Sequence, residues 1–228
     1  MLFYHFCPLS NCSQGSMTKK GAGILDLKGK GMLVVLSGPS GSGKDTVLEK
    51  LKESAFSFDK TISATTRAMR DGEKDGVDYY FIDKNTFEER IKKQEFLEYT
   101  VYNDNYYGTP KSEVERHINK GGCILLKIEV EGAGNVRKAM PEALSIFIIP
   151  PSMEELERRL RGRGTETEES FQKRFKTAKD ELSRAKEYDY IVINDDINLC
   201  AEQIVKILES EKLRYCRMGS IVENMLKN

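Results

Sequence analysis

A glycine-rich loop near residue 40 joins a short apolar run to a helical segment. The run Met32–Leu36 is continuous and partly β-branched, as in a strand buried on both faces. The loop reads Gly-Pro-Ser-Gly-Ser-Gly-Lys from Gly38 to Lys44, and apolar residues recur at helical spacing from Thr46 onward. A strand that passes through a tight loop into a helix is typical of an α/β sheet with parallel strands.

The loop has the spacing of a phosphate-binding P-loop: one glycine, four residues, then Gly-Lys. Glycines allow backbone N–H groups to turn toward a phosphate, and the helix N-terminus adds positive potential. The general motif places Ser or Thr directly after the lysine as a magnesium ligand, but here Asp45 occupies that position and Thr46 follows. Either Asp45 acts on a metal through water, or Thr46 contributes, or Asp45 only favours the start of the helix. The candidate residues for binding the phosphate donor are Gly38, Pro39, Ser40, Gly41, Ser42, Gly43, Lys44, Asp45 and Thr46.

Three further apolar runs, at residues 123–126, 144–149 and 190–193, alternate with helical segments. This alternation predicts an α/β fold, a five-stranded parallel sheet with helices on both faces, in which the four runs are strands. Residues 63–110 interrupt this alternation, because they contain short aromatic strands around an amphipathic helix. They predict a small inserted α+β lobe with an antiparallel sheet of its own.

Composition limits the possible classes of protein. The chain has 228 residues, with 36 Lys and Arg against 36 Asp and Glu, so its formal net charge is zero. This balance excludes a basic nucleic-acid coat and an acidic disordered tail. No run of 18 apolar residues is present, so we expect no membrane span. The five cysteines are scattered and odd in number, which favours reduced thiols in a cytoplasmic protein over disulfides or a zinc site.

The sequence also suggests domain boundaries. We expect a core domain at 32–62, 111–150 and 176–210, the inserted lobe at 63–110, a lid at 151–175 and a C-terminal helical tail at 211–228. Residues 1–31 are Ser/Asn/Gly-rich and then Lys/Gly-rich, which predicts a disordered leader. Met17 and Met32 are alternative start points, so the leader is either a real extension or an upstream start.

The inserted lobe carries a dense set of polar residues suited to a nucleotide. Arg67 and Arg70 lie three apart and can grip a phosphate by fork-shaped contacts. Glu98 can accept hydrogen bonds from the N1–H and amino group of guanine, whereas adenine offers no such pair of donors on that edge. Tyr79 and Tyr107 supply hydroxyl groups, although aromatic packing of a small sheet would explain them equally well.

The sequence resembles the guanylate kinase family over residues 32–210. Four blocks in this order carry the resemblance: the P-loop, the segment from Thr65 to Tyr79, the run 106–109, and residues 161–167 with Asn194-Asp195-Asp196. The resemblance implies transfer of the γ-phosphoryl group of ATP to GMP or dGMP, giving ADP and GDP. It also implies Mg²⁺ bound with ATP and no nucleic-acid or membrane partner, while the sequence does not tell a monomer from a dimer. A related alternative is a guanylate-kinase-like module that binds proteins without catalysis.

The resemblance also assigns roles to individual residues. It implies that the GMP phosphate and base are held by Ser63, Arg67, Arg70, Tyr79, Glu98, Tyr107, Thr109 and Glu129. The implied catalytic cations are Lys44, Arg159, Arg163 and Arg174, which would stabilise charge on the transferring group. Asn194 stands where the family contacts adenine, but the run Asn194-Asp195-Asp196 is also typical of a plain turn.

One segment departs from the family pattern. In the family, the strand that follows the acceptor lobe ends in two acidic residues two apart, and then Gln-Gly. Here Lys127 replaces the first acidic residue and Glu131 replaces the glutamine, while Glu129 keeps the second acidic position. Glu129 therefore either serves magnesium through water or contacts guanine, and any role of the first carboxylate is in doubt.

Overall fold

The computed structural model describes residues 29–59, 61–102, 104–162 and 167–227. Its main sheet contains four strands, β1 (Met32–Ser37), β6 (Cys123–Lys127), β7 (Leu144–Ile149) and β8 (Tyr190–Ile193), in the order β6-β1-β7-β8. All three neighbouring pairs are parallel. The predicted α/β class with a parallel P-loop sheet is confirmed.

The predicted number of five strands is wrong for the described residues. At the β6 edge, where a fifth strand would lie, Asp59 makes a single parallel bridge to Ile124. The chain reaches the second sheet at Ala64, and the described residues between Asp59 and Ala64 contain no strand of the main sheet.

The central strand β1 explains why helices cover both faces of the sheet. Its side chains alternate between two buried clusters, as the period of a strand requires. Leu36 packs in the cluster that includes helices α1 (Lys44–Lys52) and α7 (Ile197–Lys212). Val35 packs on the other face with α3 (Lys111–Asn119) and α4 (Val130–Ala139). The sheet is therefore buried on both sides, as the continuous apolar run predicted.

Residues 64–110 form a second sheet in the order β3-β2-β5-β4. Its strands are β2 (Ala64–Thr65), β3 (Tyr80–Phe81), β4 (Phe96–Tyr102) and β5 (Asn105–Pro110). The pairs β2–β5 and β4–β5 are antiparallel, but β2 and β3 are parallel, so the predicted antiparallel sheet is mixed. Helix α2 (Lys84–Lys92) covers it through Phe87, whose ring stacks on Phe96 at 4.2 Å between centroids.

Two helices follow β7 and carry residues toward the loop. Helix α5 (Met153–Arg161) begins after Ser152, whose hydroxyl accepts a hydrogen bond from the backbone N–H of Glu155 at 3.1 Å. Helix α6 (Glu168–Leu182) begins after Thr167, which caps it in the same way. Leu160 and Phe171 pack together in a cluster between the two helices. Their packing fixes the directions of the arginines on α5 and α6.

The first described residues lie against the last helix. Helix α8 (Tyr215–Lys227) accepts a hydrogen bond at the carbonyl of Arg217 from Lys30 N–H at 2.9 Å. Residues 1–28 of the predicted leader lie outside the described residues. Among the described helices, none is long and apolar enough to span a bilayer.

Candidate active site

The phosphate loop connects β1 to α1 and depends on glycine at its first position. Gly38 has φ +153°, and a Cβ atom there would lie 2.2 Å from the carbonyl oxygen of Ile148. The Nζ of Lys44 donates to the carbonyls of Gly38 at 2.6 Å and Pro39 at 3.2 Å. The lysine side chain is buried and folds back over the loop, so its ammonium group is fixed where phosphates would be bound.

Two residues predicted from the sequence, Asn194 and Arg159, support the phosphate loop. Asn194 is buried, and its Nδ2 donates to the carbonyl of Ser42 at 2.8 Å. Arg159 donates to the carbonyl of Asn194 at 2.9 Å and, through Nε, to Glu155 at 2.6 Å. Hydrogen bonds from Arg158 and Arg159 lower the pKa of Glu155 to about 2. The structure therefore brings Arg159 and Asn194 to the loop, with the side-chain amide of Asn194 engaged by the loop backbone.

Helix α6 brings two further side chains to the same loop. Arg174 approaches the hydroxyl of Ser40 at 3.4 Å, and Glu181 accepts from Ser40 N–H at 3.1 Å. Burial raises the pKa of Glu181 above its ordinary value. The sequence analysis missed Glu181, although its position seven residues after Arg174, two helical turns along one face, could have indicated it. Arg163, which was predicted to act with these residues, lies outside the described residues.

The departure from the general P-loop motif, Asp45, and the departure from the family pattern, Lys127, meet at the end of β6. Lys127 forms an ion pair with Asp45, and Glu129 lies 3.5 Å from Lys44. The register of the sheet explains this, because Lys127 is the partner of Leu36 in β1, close to the start of the loop. Asp45 and Glu129 are exposed, whereas Lys44 is buried. The strand end thus presents one cation and one carboxylate to the first two residues of α1.

A cavity of about 610 Å³ lies between the strand end and the second sheet. This volume is in the range of small-molecule sites. Six of the eight residues predicted for the GMP site line it: Ser63, Tyr79, Glu98, Tyr107, Thr109 and Glu129. Lys127 lines it too, which connects the cavity to the phosphate loop.

Inside this cavity, a carboxylate and a hydroxyl face each other across two strands. Glu98 in β4 and Thr109 in β5 are register partners, and the hydroxyl of Thr109 donates to Oε1 of Glu98 at 2.7 Å. Burial raises the pKa of Glu98, while the hydrogen bond from Thr109 opposes the increase. The pair leaves Oε2 of Glu98 for a ligand with N–H donors.

The predicted phosphate-binding arginines border the cavity without lining it. Arg67 forms two hydrogen bonds with Glu73, at 3.0 and 2.8 Å, and its guanidinium lies 5.5 Å from the ring centre of Tyr79. The hydrogen bond from Arg67 lowers the pKa of Glu73 to about 2. Arg70 is exposed, and its backbone contacts Glu73 twice: its N–H donates to the Glu73 carboxylate at 2.8 Å, and its carbonyl accepts from the Glu73 N–H at 3.1 Å. Glu73 therefore orients Arg67 beside Tyr79, a role that the sequence analysis did not assign.

The available oxygen donors fit a magnesium ion that arrives with its nucleotide. The described residues hold no group of three or more His, Cys, Asp or Glu side chains that could cage a metal. Near the loop stand the hydroxyl of Thr46 and the carboxylates of Asp45 and Glu129, all exposed. Mg²⁺ prefers such hard oxygen ligands and usually keeps several waters while it binds substrate phosphates.

The P-loop lies at the end of a parallel sheet, and charged residues connect it to a polar cavity. This arrangement defines a nucleotide phosphotransferase of the P-loop class. A model of the guanylate kinase family matches residues 30–211. The chain belongs to the guanylate kinase family.

Individual relatives agree with this assignment. The chain is 46% identical over 198 residues to guanylate kinase of Clostridioides difficile, covering 87% of this chain and 97% of that protein. It is 48% identical over 199 residues to guanylate kinase of Listeria innocua, with the same coverage. The crystal structure of guanylate kinase from Anaplasma phagocytophilum matches with 37% identity and a TM-score of 0.63, covering 87% of this chain and 95% of that one. The predicted guanylate kinase function is confirmed, and the non-catalytic alternative is not favoured.

Proposed function

We propose that the chain transfers the γ-phosphoryl group of ATP to GMP or dGMP, with ATP at the loop 38–46 and the acceptor in the 610 Å³ cavity. The observation that carries this proposal is the contact between the two parts of the site. Glu129 lines the acceptor cavity and lies 3.5 Å from Lys44 of the loop. Phosphates bound at the two parts would therefore be neighbours, as direct transfer requires.

The acceptor base is read by Glu98 and Thr109 in this proposal. Oε2 of Glu98 accepts from the guanine edge, while Thr109 holds Oε1 at 2.7 Å. Adenine presents an acceptor at N1 and would leave the carboxylate facing a lone pair. Ser63, Tyr79 and Tyr107 supply hydroxyls for the acceptor phosphate, together with Arg67 and Arg70 at the border of the cavity.

The donor side supplies positive charge. Lys44 and the backbone N–H groups of the loop bind the donor phosphates, and Arg159, Arg163 and Arg174 stabilise negative charge that spreads over the transferring group. Asn194 sits beneath the loop, hydrogen-bonded to Ser42, and would support the adenine side of the nucleotide from there. Mg²⁺ bound with ATP would neutralise charge on the β- and γ-phosphates, with water-mediated contacts to Thr46, Asp45 or Glu129.

The transfer requires no general base. The bond between the γ-phosphorus and the bridging oxygen breaks, ADP keeps that electron pair, and a phosphate oxygen of GMP forms the new bond. This oxygen is largely ionised near neutral pH, because the second pKa of a phosphate monoester is about 6. Closure of the lobe 63–110 and the lid 151–175 would exclude water, and so would suppress hydrolysis of ATP.

The cellular setting follows from the same chemistry. Cys123, Cys200 and Cys216 carry free thiols, and burial raises the pKa of Cys123 to about 12. Free thiols and free-nucleotide substrates support a cytoplasmic location.

A coupled assay of ADP formation with GMP, dGMP, AMP and UMP tests the proposal. We expect turnover with GMP and dGMP, and far less with AMP or UMP. Robust turnover of AMP without GMP would refute the acceptor assignment. A Lys44→Met variant that has lost catalysis but still supports cell growth would favour the protein-binding alternative.

A further inference from the structure

Two residues that depart from expected patterns, one from the general P-loop motif and one from the family, contact each other. Asp45 stands where the P-loop motif has a hydroxyl, and Lys127 stands where the family has an acidic residue. They are 82 positions apart, and Nζ of Lys127 donates to Oδ1 of Asp45. Each substitution alone would disturb the charge of the site, whereas together they form a neutral pair.

The pair contributes little to folding, because its members are accessible to solvent. The side chain of Asp45 is 72% exposed and that of Lys127 is 37% exposed. Exposed ion pairs are screened by water and cost side-chain entropy, so they stabilise proteins weakly. Its position in the site therefore offers a better explanation than stability.

Lys127 stands at the boundary between the two substrate sites. Its side chain lines the acceptor cavity, while its ammonium group reaches Asp45 at the start of the loop helix. Lys44 and Glu129 form the neighbouring ion pair across the same boundary. A phosphoryl group that moves from the loop to the cavity has to pass this cluster of four charges.

The identity of residue 127 decides the net charge of this cluster. With lysine, the pairs Lys127–Asp45 and Lys44–Glu129 are each balanced in charge, whereas a carboxylate at 127 would place a second anion beside Asp45. Phosphate groups would be repelled by such a cluster unless further cations neutralised it. Lys127 thus compensates Asp45 and adds a strong hydrogen-bond donor where negative charge develops.

We propose that Lys127 is a catalytic residue of this chain: its ammonium group moves from Asp45 to the transferring phosphoryl group when both nucleotides are bound. The inference rests on the proposed function and adds a cation to the set predicted from sequence. The contact is non-covalent, so the balance of bonds in the transfer is unchanged. Asp45, being exposed, is readily resolvated when the lysine leaves it.

A double-mutant cycle tests this role. Steady-state kinetics with GMP and ATP would compare the wild type, Lys127→Met, Asp45→Asn and the double variant, with Lys138→Met as a control at an exposed lysine on α4. We expect Lys127→Met to lower kcat about 10- to 100-fold, with KM values changed less than about threefold. The reason is that Lys127 contacts the phosphoryl group as negative charge develops during the transfer. We expect the same loss when Lys127→Met is added to Asp45→Asn, and little effect of Lys138→Met.

Other outcomes would overturn the inference. A loss that disappears in the Asp45→Asn background would mean that Lys127 only neutralises Asp45, and kcat unchanged in Lys127→Met would remove any role. Thermal unfolding of each variant checks the fold, and Lys127→Arg, which keeps the charge, should recover part of kcat if the first variant unfolds. Failure of the wild type to use GMP would instead refute the proposed function, and the inference with it.

Discussion

Replacement of Glu98 by glutamine tests base recognition with the smallest change in shape. One carboxylate oxygen becomes an amide NH₂, and the negative charge is lost. Because Thr109 donates to Oε1 at 2.7 Å in the wild type, the variant has two orientations. If the amide oxygen stays toward Thr109, the NH₂ group meets the donors of guanine; if it turns toward guanine, the hydroxyl of Thr109 can reverse and accept.

The expected loss in kcat/KM for GMP is worked out for the second orientation, in which the amide oxygen faces guanine. Glutamine keeps one neutral hydrogen bond to guanine, but it loses a bond to a charged acceptor and leaves one guanine donor without its partner. A hydrogen bond to a charged group contributes about 1.5–3 kcal/mol, and an unsatisfied buried donor costs a similar amount. A net loss of about 3 kcal/mol corresponds to a fall of about 150-fold in kcat/KM for GMP.

The assay measures kcat/KM for GMP and AMP, together with KM for ATP. We expect AMP to gain relative to GMP, because an amide can donate to N1 of adenine and accept from its amino group. Glu95→Gln is the matched control, since Glu95 pairs with Arg90 at 2.8 Å in the same lobe and does not line the cavity. Unchanged use of GMP, or an equal loss for GMP and AMP, would refute the assignment of Glu98.

The same variant has a consequence for stability. Burial raises the pKa of Glu98 in the folded chain, so the folded state binds a proton more tightly than the unfolded state. Stability therefore falls as the pH rises from the ordinary pKa of the carboxyl through its raised folded value. In Glu98→Gln this decrease should be absent from the pH profile of thermal unfolding, and the variant should be at least as stable as the wild type at neutral pH. Marked destabilisation at neutral pH would indicate a structural role for the carboxylate instead.

Three further predictions concern the loop and the acceptor lobe. Lys44→Met should lower kcat about 100- to 1000-fold with the fold retained, whereas Lys50→Met on the same helix should not, as coupled assays can show. In Gly38→Ala, the alanine would have a positive φ and its Cβ would lie 2.2 Å from a backbone oxygen. Gly72 also has a positive φ, but a Cβ there would have no atom within 4 Å, so Gly72→Ala should lower the free energy of unfolding by about 1 kcal/mol. Urea unfolding should show a much larger decrease for Gly38→Ala. Glu73 has a pKa of about 2, so its stabilisation is present above its ordinary pKa of 4.5 and is lost as the pH falls toward 2; acid unfolding of Glu73→Gln should then converge with that of wild type at low pH.

Local sequence patterns predicted the parts of the site that depend on neighbouring residues. The strand, loop and helix around Lys44 follow from glycine placement and hydrophobic spacing, and both are visible within some twenty residues. The pairing of Glu98 with Thr109 needed the register of β4 and β5, which only the family resemblance implied. Five strands were predicted and the described residues form four, because the alternation of elements suggests how many strands a fold can hold but not that the described residues would make a single bridge, at Asp59, beside β6.

Contacts between distant residues could not be predicted from single positions. Lys127 and Asp45 each looked like an isolated departure, because nothing in one sequence indicates that β6 ends beside the loop helix. Glu181 shares a face of α6 with Arg174, but many charged residues lie on that helix, and its contact with Ser40 at 3.1 Å depends on how α6 packs beside the loop. In each case the missing information was which strand or helix end lies at the phosphate loop.

The carboxylate partners of the site cations fall into two groups with different consequences. Among the described residues, four such pairs are Lys44–Glu129, Lys127–Asp45, Arg67–Glu73 and Arg159–Glu155. The partners of the two lysines have side chains 71% and 72% exposed, whereas those of the two arginines are 22% and 21% exposed. An exposed carboxylate regains water when its cation turns to a phosphate, so Lys127 can leave Asp45 at little cost, while Lys44 stays bound to the loop carbonyls when Glu129 is displaced. Glu73 and Glu155 are mostly buried and hold Arg67 by two hydrogen bonds and Arg159 by one, so the arginines stay oriented and offer their remaining N–H groups. A chain of zero net charge can therefore bind two polyanions. Some of its acidic residues orient the arginines of the cleft, and others pair with lysines until phosphates replace them.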